Sequence, residues 1–275
     1  MKKMRRSTKL VITGVLASAV VSISAIGFSL AYLTDTDQKI NNLAFVDQNA
    51  DKSLKGEVDE PLWSDPGNPD STDPGLGKNI AQNLLPGTTV PKNPFIKNIS
   101  TADVSEYAAI KITYEGIMYP VGVDGKIDTS APVTSVLTDA QVADLVKILQ
   151  FGRHSDPADS GSPIVSGLNL GAGKDSWTQD ANTPSTQNGV IYFYNDDNGI
   201  ARDGQTASIF DSFKIDPNAD NDDLAAIAGF ANGGVNIKVD GAVCQKENLD
   251  FSLNPANEGT SAYVLDGLLQ TGGAS

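Results

Sequence analysis

The stretch "EYAAIKITYEG", residues 106–116, constrains the fold of this chain more than any other. Its residues alternate between an apolar and a largely polar set: Ala108, Ile110, Ile112 and Tyr114 against Ala109, Lys111, Thr113 and Glu115. Side chains at successive positions of a strand point to opposite faces of a sheet. The pattern therefore predicts an antiparallel strand with one face on a core and one polar face.

Further strand and turn signals follow along the chain. Residues 188–195, "NGVIYFYN", hold a continuous β-rich run, and residues 233–244, "GGVNIKVDGAVC", alternate again. Residues 88–100, "TTVPKNPFIKNIS", are another strand candidate, and Asp124-Gly125 between short apolar pieces is a hairpin signal. The 26 glycines and 14 prolines agree with a fold that has many turns and short strands.

Three segments have helical patterns. Residues 137–152 offer Thr138 or Asp139 as N-cap and a stop at Gly152. One apolar stripe of this helix consists of Val142, Leu145, Val146 and Leu149. Residues 220–234 have an acidic first turn and a Gly-Gly stop, and residues 259–273 are a shorter candidate. Strands interrupted by two or three helices predict a mainly β fold, an antiparallel β-sandwich with helical insertions.

The N-terminus has the three parts of a secretory signal peptide. Five basic residues and no acid precede the uncharged run Leu10–Ala31. Small residues at Ser29 and Ala31 predict cleavage between Ala31 and Tyr32. The alternative is a retained anchor, because the run is long enough to cross a bilayer of about 20 helical residues. The Ser, Gly and Ala content and the S-x-A step favour cleavage.

Charge and cysteine content narrow the classes of partner. Cleavage removes five basic residues and leaves 15 against 34 acidic ones, so the formal charge changes from −14 to −19. Such a chain repels nucleic acid and anionic lipid, so we expect no nucleic-acid partner and no membrane association after cleavage. Cys244 is the only cysteine, which excludes an intramolecular disulfide.

Composition divides the chain into three parts. Residues 1–31 form the predicted signal peptide, and residues 32–80 read as a flexible N-terminal segment followed by a linker. The linker signature lies in residues 60–79, where four prolines occur among Asp, Gly and Ser, with Trp63 as an apolar anchor. Residues 81–275 form the predicted β domain.

The residues after the signal peptide resemble the start of the TasA/camelysin family of exported proteins. The family pattern, a small residue, an aromatic, an apolar residue, Ser or Thr, and Asp, stands here as Ala31, Tyr32, Leu33, Thr34 and Asp35. "NLLPGTTVPKNPFIKNIS", residues 83–100, is similar to a second family segment, and residues 235–251 are a weaker third. The resemblance implies a jelly-roll-like β-sandwich, processing by a SipW-type signal peptidase, secretion from a Gram-positive-type bacterium and assembly into biofilm matrix fibres.

A sandwich with an unpaired sheet edge can polymerise when a neighbour supplies a strand. Such a contact is head-to-tail and does not close, so it produces a filament. Residues 32 to about 50, freed by signal cleavage, are the candidate donor. The alternative is a disordered mature N-terminus with no role in assembly.

The sequence gives catalysis little support. His154 is the only histidine, and a zinc protease motif H-E-x-x-H requires two. A triad of His154 with Ser155 or Ser160 and an acid is an alternative to an ordinary polar loop. Cys244 has only Lys246 as a basic neighbour in the sequence, so a structural thiol is the better interpretation. We expect a protein without enzymatic activity.

One acidic segment resembles the start of a calcium loop. Its alternating oxygen-bearing residues are Asp216, Asn218, Asp220 and Asp222. Asn221 stands where such a loop prefers Gly, and Ile227 where it has Glu. The alternative is a helix N-cap, because Asp and Asn are common there. Residues 195–204 form a second acidic turn that suits either a cation or a hairpin.

These observations rank three functions. The first is a secreted, non-enzymatic structural protein, a biofilm matrix fibre subunit or its accessory, which assembles by strand donation. The second is a monomeric cell-surface adhesin or binding module that uses residues 150–230 for a ligand. The third is a secreted hydrolase, which would need His154.

Overall fold

The computed structural model describes most of the chain beyond its N-terminal fifth. The described residues are 54–271, apart from 66, 69–70, 82–84, 102, 124–125, 127, 129, 131, 155–163, 221–222, 224–232 and 248. The predicted signal peptide, its cleavage residues Ser29, Ala31 and Tyr32, and the candidate donor lie outside the described residues. None of the helices within the described residues is long and apolar enough to cross a membrane.

The described part of the chain is mainly β and includes three helices. The strands are β1 Gly56–Asp59, β2 Thr89–Pro91, β3 Phe95–Asn98, β4 Glu106–Met118, β5 Val133–Val136, β6 Leu149–His154, β7 Ile164–Ser166, β8 Trp177–Gln179, β9 Val190–Tyr194, β10 Ser212–Ile215 and β11 Gly233–Gln245. The helices are α1 Gly77–Ile80, α2 Asp139–Ile148 and α3 Ser261–Thr271.

The strands form three sheets, and every strand pair is antiparallel. The largest sheet has the order β11-β4-β9-β8, with β5 beside the distal part of β4. A second sheet has the order β2-β10-β6-β7, and β1 pairs with β3 in a third. The prediction of a mainly β, antiparallel fold with helical insertions is thereby confirmed.

The long strands β4 and β11 are the axis of the largest sheet. They pair along their whole length, from Glu106 opposite Gln245 to Met118 opposite Gly233. The side chains on one face belong to the main core, among them Ile110 and Ile112 from β4 and Ile237 from β11. The alternation in the sequence therefore predicts the correct strands and the correct inward face.

The main core lies between this sheet and the rest of the fold. It joins Ile110 of β4 to Phe213 of β10 and Leu149 of β6, so both larger sheets contribute to one cluster. Trp63 is buried in the same cluster, and its ring centroid lies 6.4 Å from that of Phe213. Because apolar side chains from both sheets leave water together, their burial stabilises the pairing of the two sheets.

The other face of the largest sheet is also partly covered. Tyr107 and Ala109 of β4 and Phe193 of β9 pack with Leu265 and Leu269 of α3 in a second apolar cluster. The sequence predicts a polar face here, because Lys111, Thr113 and Glu115 occupy its distal part. The proximal part is instead a helix-binding surface, and its small residue Ala109 allows α3 to approach.

Helix α2 begins as predicted and ends early. The side chain of Thr138 accepts a hydrogen bond from the backbone N–H of Gln141, and Gln141 caps the Thr138 N–H in return. The helix ends at Ile148, whereas the sequence predicts Gly152. Residues from Leu149 onward pair with β10, so sheet hydrogen bonds replace the last helical turn.

The folded body also begins earlier than composition indicates. Within residues 32–80, which read as a flexible segment and linker, β1 pairs with β3 and Trp63 is buried. The backbone of Gly77 passes so close to the Pro91 carbonyl that a Cβ there would lie 1.9 Å from its oxygen. Gly77 in this region therefore serves tight packing. Most of the helix predicted at 220–234 and the Asp124-Gly125 turn lie outside the described residues.

Candidate functional site

The point where the N-terminal part of the chain joins the folded body is held by buried polar groups. The backbone N–H of Lys55 donates to Ser100 Oγ at 2.6 Å, and Ser100 Oγ donates to Glu106 Oε1 at 2.5 Å. The backbone N–H of Ile99 donates to the Lys55 carbonyl at 2.8 Å. We call Lys55, Asn98, Ser100 and Glu106 the anchor cluster. It fixes the start of β1 to the first residue of β4.

Asn98 completes the anchor cluster. Its side chain is fully buried. Its Nδ2 donates to the carbonyls of Val104 and Ile200 at 2.9 Å each, and its Oδ1 accepts from the Ser100 N–H at 3.0 Å. Three backbone segments are thus joined through one amide. A buried amide whose hydrogen bonds are made in this way specifies local geometry, because breaking any of them leaves an unsatisfied group.

Glu106 is the member of the anchor cluster that has a buried oxygen without a hydrogen bond. The residue is completely buried, and its Oε2 has no hydrogen-bond partner among the described residues. Burial raises the pKa of this carboxyl from 4.5 to about 7, while hydrogen bonds from Ser100 and the Lys55 backbone oppose the rise. Burial raises the pKa of the nearby Cys244 thiol to about 12, and the Glu106 charge adds to that rise.

A buried ion pair fixes the segment that follows β1. Lys92 Nζ lies 2.6 Å from Glu60 Oε2, with both side chains almost fully buried. The same Nζ lies 4.8 Å from the centre of a Trp63 ring, within the range of a cation–π contact. Breaking a buried ion pair leaves one charge without a partner, which is costly. The pair therefore fixes residues 60–63 against Lys92, the residue that follows β2.

The opposite end of β4 carries an exposed apolar hairpin. Of the nine large hydrophobic side chains that are exposed in the described part of the chain, five belong to residues 118–136. These are Met118, Val121, Val123, Val133 and Val136. All four residues of β5 are exposed, and β4 is its partner on one side. Clustered exposed apolar residues mark interaction surfaces more often than scattered ones do.

The predicted calcium residues form a turn followed by a helix start. Asp216 Oδ1 accepts from the N–H and the Nδ2 of Asn218, and Asp216 Oδ2 accepts from Gln150 Nε2. The backbone N–H of Asp223 donates to Asp220 Oδ1, and that of Asp220 to Asp223 Oδ2. The N-cap interpretation accounts for these contacts. Asp222 lies outside the described residues, so calcium binding stays a prediction.

The second acidic turn is likewise held by its own hydrogen bonds. Asp196 Oδ1 accepts from the N–H of Asn198, and Asp203 and Gly199 adopt left-handed backbone conformations. Lys174 Nζ lies 3.5 Å from Asp196 Oδ2. Within the described ranges, no group of three or more His, Cys, Asp or Glu side chains is arranged to hold a metal ion.

The residues considered for catalysis are not brought together in the described part of the chain. His154 is the last residue of β6, and both Ser155 and Ser160 lie outside the described residues. Cys244 is buried on β11 in the cluster beneath α3. Its raised pKa keeps it a neutral thiol at physiological pH, which agrees with the structural role predicted from the sequence.

A shallow cleft lies beside the edge strand β8. It has a volume of about 460 Å³, and its lining includes Leu170, Trp177, Asn195 and Leu253. The backbone of residues 170–171 closes over β8, because Leu170 forms a bridge with Trp177 and the Gly171 N–H donates to the Trp177 carbonyl. The cleft is mostly apolar, and most of its lining residues fall within residues 150–230, the region considered for ligand binding.

Sequence reasoning missed the anchor cluster and the β5 edge. The only signal for the first is the polar string "KNISTADVSE" directly before an apolar strand, which reads as an ordinary loop. The sequence of β5, "VTSV", contains no signal that would tell an edge strand open to solvent from one covered by another part of the chain. Comparison of the chain with models of protein families, with characterised proteins and with solved structures found no match.

Proposed function

We propose that this chain is a secreted, non-enzymatic structural protein, a subunit or accessory of biofilm matrix fibres, which assembles by strand donation. Secretion follows from the basic, apolar and small-residue parts of residues 1–31, with a SipW-type signal peptidase cutting after Ala31. The fibre rests on the resemblance of residues 31–35 and 83–100 to the TasA/camelysin family. The finer fold we propose is a jelly-roll-like sandwich.

The observation that carries the proposal is where the first strand begins. The anchor cluster fixes Lys55 at the Glu106 end of β4, so residues 32–53 are attached at one end of the longest strand pair. A strand donor must be joined to its own subunit at a defined point if successive subunits are to repeat the same geometry. A fixed attachment outside the main sheet meets this requirement and supports strand addition to a neighbour.

The test is assembly of two purified chains, Tyr32–Ser275 and one that begins at Lys52. Light scattering and negative-stain microscopy follow both chains over a range of concentrations, with and without calcium. We expect filaments from the longer chain and monomers from the shorter one, because only the first carries the donor. Filaments from both chains would contradict donation by residues 32–51.

The cleft beside β8 favours a second candidate function. A monomeric adhesin or binding module on the same fold would use this apolar surface, around Leu170 and Leu253, for a ligand. The same experiment separates the two functions. Compact monomers from both chains at every concentration would exclude self-assembly and give the binding module first place.

A further inference from the structure

Strand β5 is less protected against strand addition than three other described sheet edges. Strand β2 ends in Pro91, which has no N–H to donate. Strand β8 is bridged by Leu170, and β11 carries Lys238 and Asp240 near its middle. Charges, prolines and covering loops are the usual protection of an edge. Strand β5, "VTSV", is uncharged, contains no proline and is exposed at every residue.

The hydrogen bonding of β5 shows which of its backbone groups point away from β4. Leu137 lies opposite Tyr114 in the register that continues β5, and its N–H donates to the Tyr114 carbonyl at 3.0 Å. Hydrogen-bonded positions alternate along an antiparallel strand. Ser135 and Val133 therefore bond to β4, whereas the N–H and C=O groups of Thr134 and Val136 point to the open side. These two residues offer the hydrogen bonds that an added strand needs.

The open edge and the N-terminal attachment lie at opposite ends of β4. The anchor cluster holds Lys55 near Glu106, and β5 pairs with Glu115–Met118. At about 3.3 Å per residue, Glu115 lies roughly 30 Å along the strand from Glu106. Nine fully extended residues, from Val46 to Lys55, also span about 30 Å. A segment that ends at Val46 could therefore reach the β5 of its own molecule only if residues 46–55 were fully extended. Pairing with the β5 of a second molecule does not require this extension.

The distribution of charge also favours contact between β5 and the N-terminal segment. Both partners are strongly acidic, so contact between most of their surfaces is repulsive. Residues 40–46, "INNLAFV", are the longest uncharged run in the candidate donor and include Ile40, Leu43 and Phe45. Paired with the uncharged β5, they bring no like charges together and place apolar side chains beside Val133 and Val136.

We infer that β5, through the open backbone groups of Thr134 and Val136, is the edge that receives residues 40–46 of a neighbouring copy of this chain. The inference rests on the proposed function and specifies its acceptor. Donor and acceptor then lie at opposite ends of each subunit, so the contact is head-to-tail and extends without closing.

The first comparison uses four forms of the chain Tyr32–Ser275: the unmodified chain, Val136→Lys, Val123→Lys and Phe45→Lys. Val123 is a matched control, because it is an exposed valine of the same hairpin outside β5. We expect Val136→Lys and Phe45→Lys each to lower the sedimentable fraction about tenfold, since a charge enters the pairing edge or its donor. The Val123→Lys variant should assemble like the unmodified chain.

Mixing the two defective variants makes the test specific. The Phe45→Lys chain retains an intact β5, and the Val136→Lys chain retains an intact donor, so a mixture should give one-to-one dimers and no filaments. Size-exclusion chromatography with light scattering measures the mass, and circular dichroism checks that each variant is folded. Thr134→Pro, which removes an outward N–H without adding charge, should reproduce the effect of Val136→Lys.

Four outcomes would overturn the inference in distinguishable ways. Filaments from Val136→Lys and Thr134→Pro would place the acceptor at another edge and leave strand donation standing. Filaments from Phe45→Lys that are lost in Val136→Lys would make the occupant another part of the second copy, such as its own β5. Equal loss in Val123→Lys would mean that charge on the hairpin, not the β5 edge, is responsible. An unmodified chain that stays monomeric would overturn the proposed function and this inference together.

Discussion

Single residues decide how firmly the N-terminal strand is held, and the Glu106 carboxyl makes the stability of the fold depend on pH. Its carboxyl is buried without a partner for Oε2 among the described residues, so the charged form is destabilised in the folded state. The pKa of about 7 exceeds the ordinary value of 4.5, and the folded chain therefore retains a proton that the unfolded chain has released between these values. Raising the pH through this window lowers the free energy of unfolding.

The change Glu106→Gln should remove this pH dependence. Gln resembles the protonated acid and keeps an oxygen for the Ser100 hydroxyl, so the variant should match the unmodified chain at pH 4. Above pH 7 it should be more stable by about 3 kcal/mol, the free energy that corresponds to a pKa change from 4.5 to about 7. Denaturant unfolding between pH 4 and 8 measures the difference.

The control for this prediction is Glu57→Gln, a change of the same chemistry at an exposed position on β1. It should alter stability little at any pH. The Glu106 carboxyl accepts hydrogen bonds from the Ser100 hydroxyl and the Lys55 backbone N–H, and its charge also affects the buried Cys244 thiol on the other face of the sheet. None of these three changes its protonation between pH 4 and 8, so a pH-dependent difference between Glu106→Gln and the unmodified chain reports on the carboxyl itself. A difference between Glu106→Gln and the unmodified chain that stays constant from pH 4 to 8 would contradict the assignment.

Among the elements, the sequence could predict the strands β4 and β11 but not where helix α3 packs. Alternation identified β4 and β11 and their inward face, because period-two patterning reports directly on a sheet that is buried on one side. It could not show that α3 covers Tyr107 and Ala109, because the helix approaches from a distant part of the chain. Similarly, the sequence around Asp216 suits either a cation or a helix N-cap, and that around Asp196 either a cation or a hairpin, because Asp and Asn serve all three.

The packing of α3 gives a prediction at the scale of elements. Leu265 is almost fully buried between the helix and the sheet. Leu265→Ala should lower the free energy of unfolding by about 2–5 kcal/mol, because it removes buried methyl groups and leaves a cavity. Tyr263→Ala, at a position of the same helix that is 46% exposed, is the control and should cost far less. Chemical denaturation monitors both, and equal effects would show that α3 does not pack on the sheet as described.

At the scale of the whole molecule, repulsion between acidic subunits opposes the assembly that strand pairing at β5 favours. Each mature subunit would carry a formal charge of −19, so copies that approach one another repel over the screening length of the solution. That length is about 30 Å at 0.01 M salt and about 10 Å at 0.1 M. Strand pairing, by contrast, is a contact between uncharged backbone groups and responds little to salt. The two terms can therefore be separated by ionic strength alone.

Assembly of the chain Tyr32–Ser275 should accelerate strongly as sodium chloride rises from about 0.01 M to about 0.1 M and change less beyond, because the screening length has by then fallen from about 30 Å to about 10 Å and the repulsion between whole subunits is mostly screened. Light scattering measures the rate. Calcium and magnesium chloride at equal ionic strength should act alike if screening alone is at work. A larger effect of calcium that Asp216→Asn with Asp220→Asn abolishes would instead report the predicted calcium site. Assembly that slows with salt would mean that ion pairs between subunits, and not the uncharged β5 edge, hold the filament together.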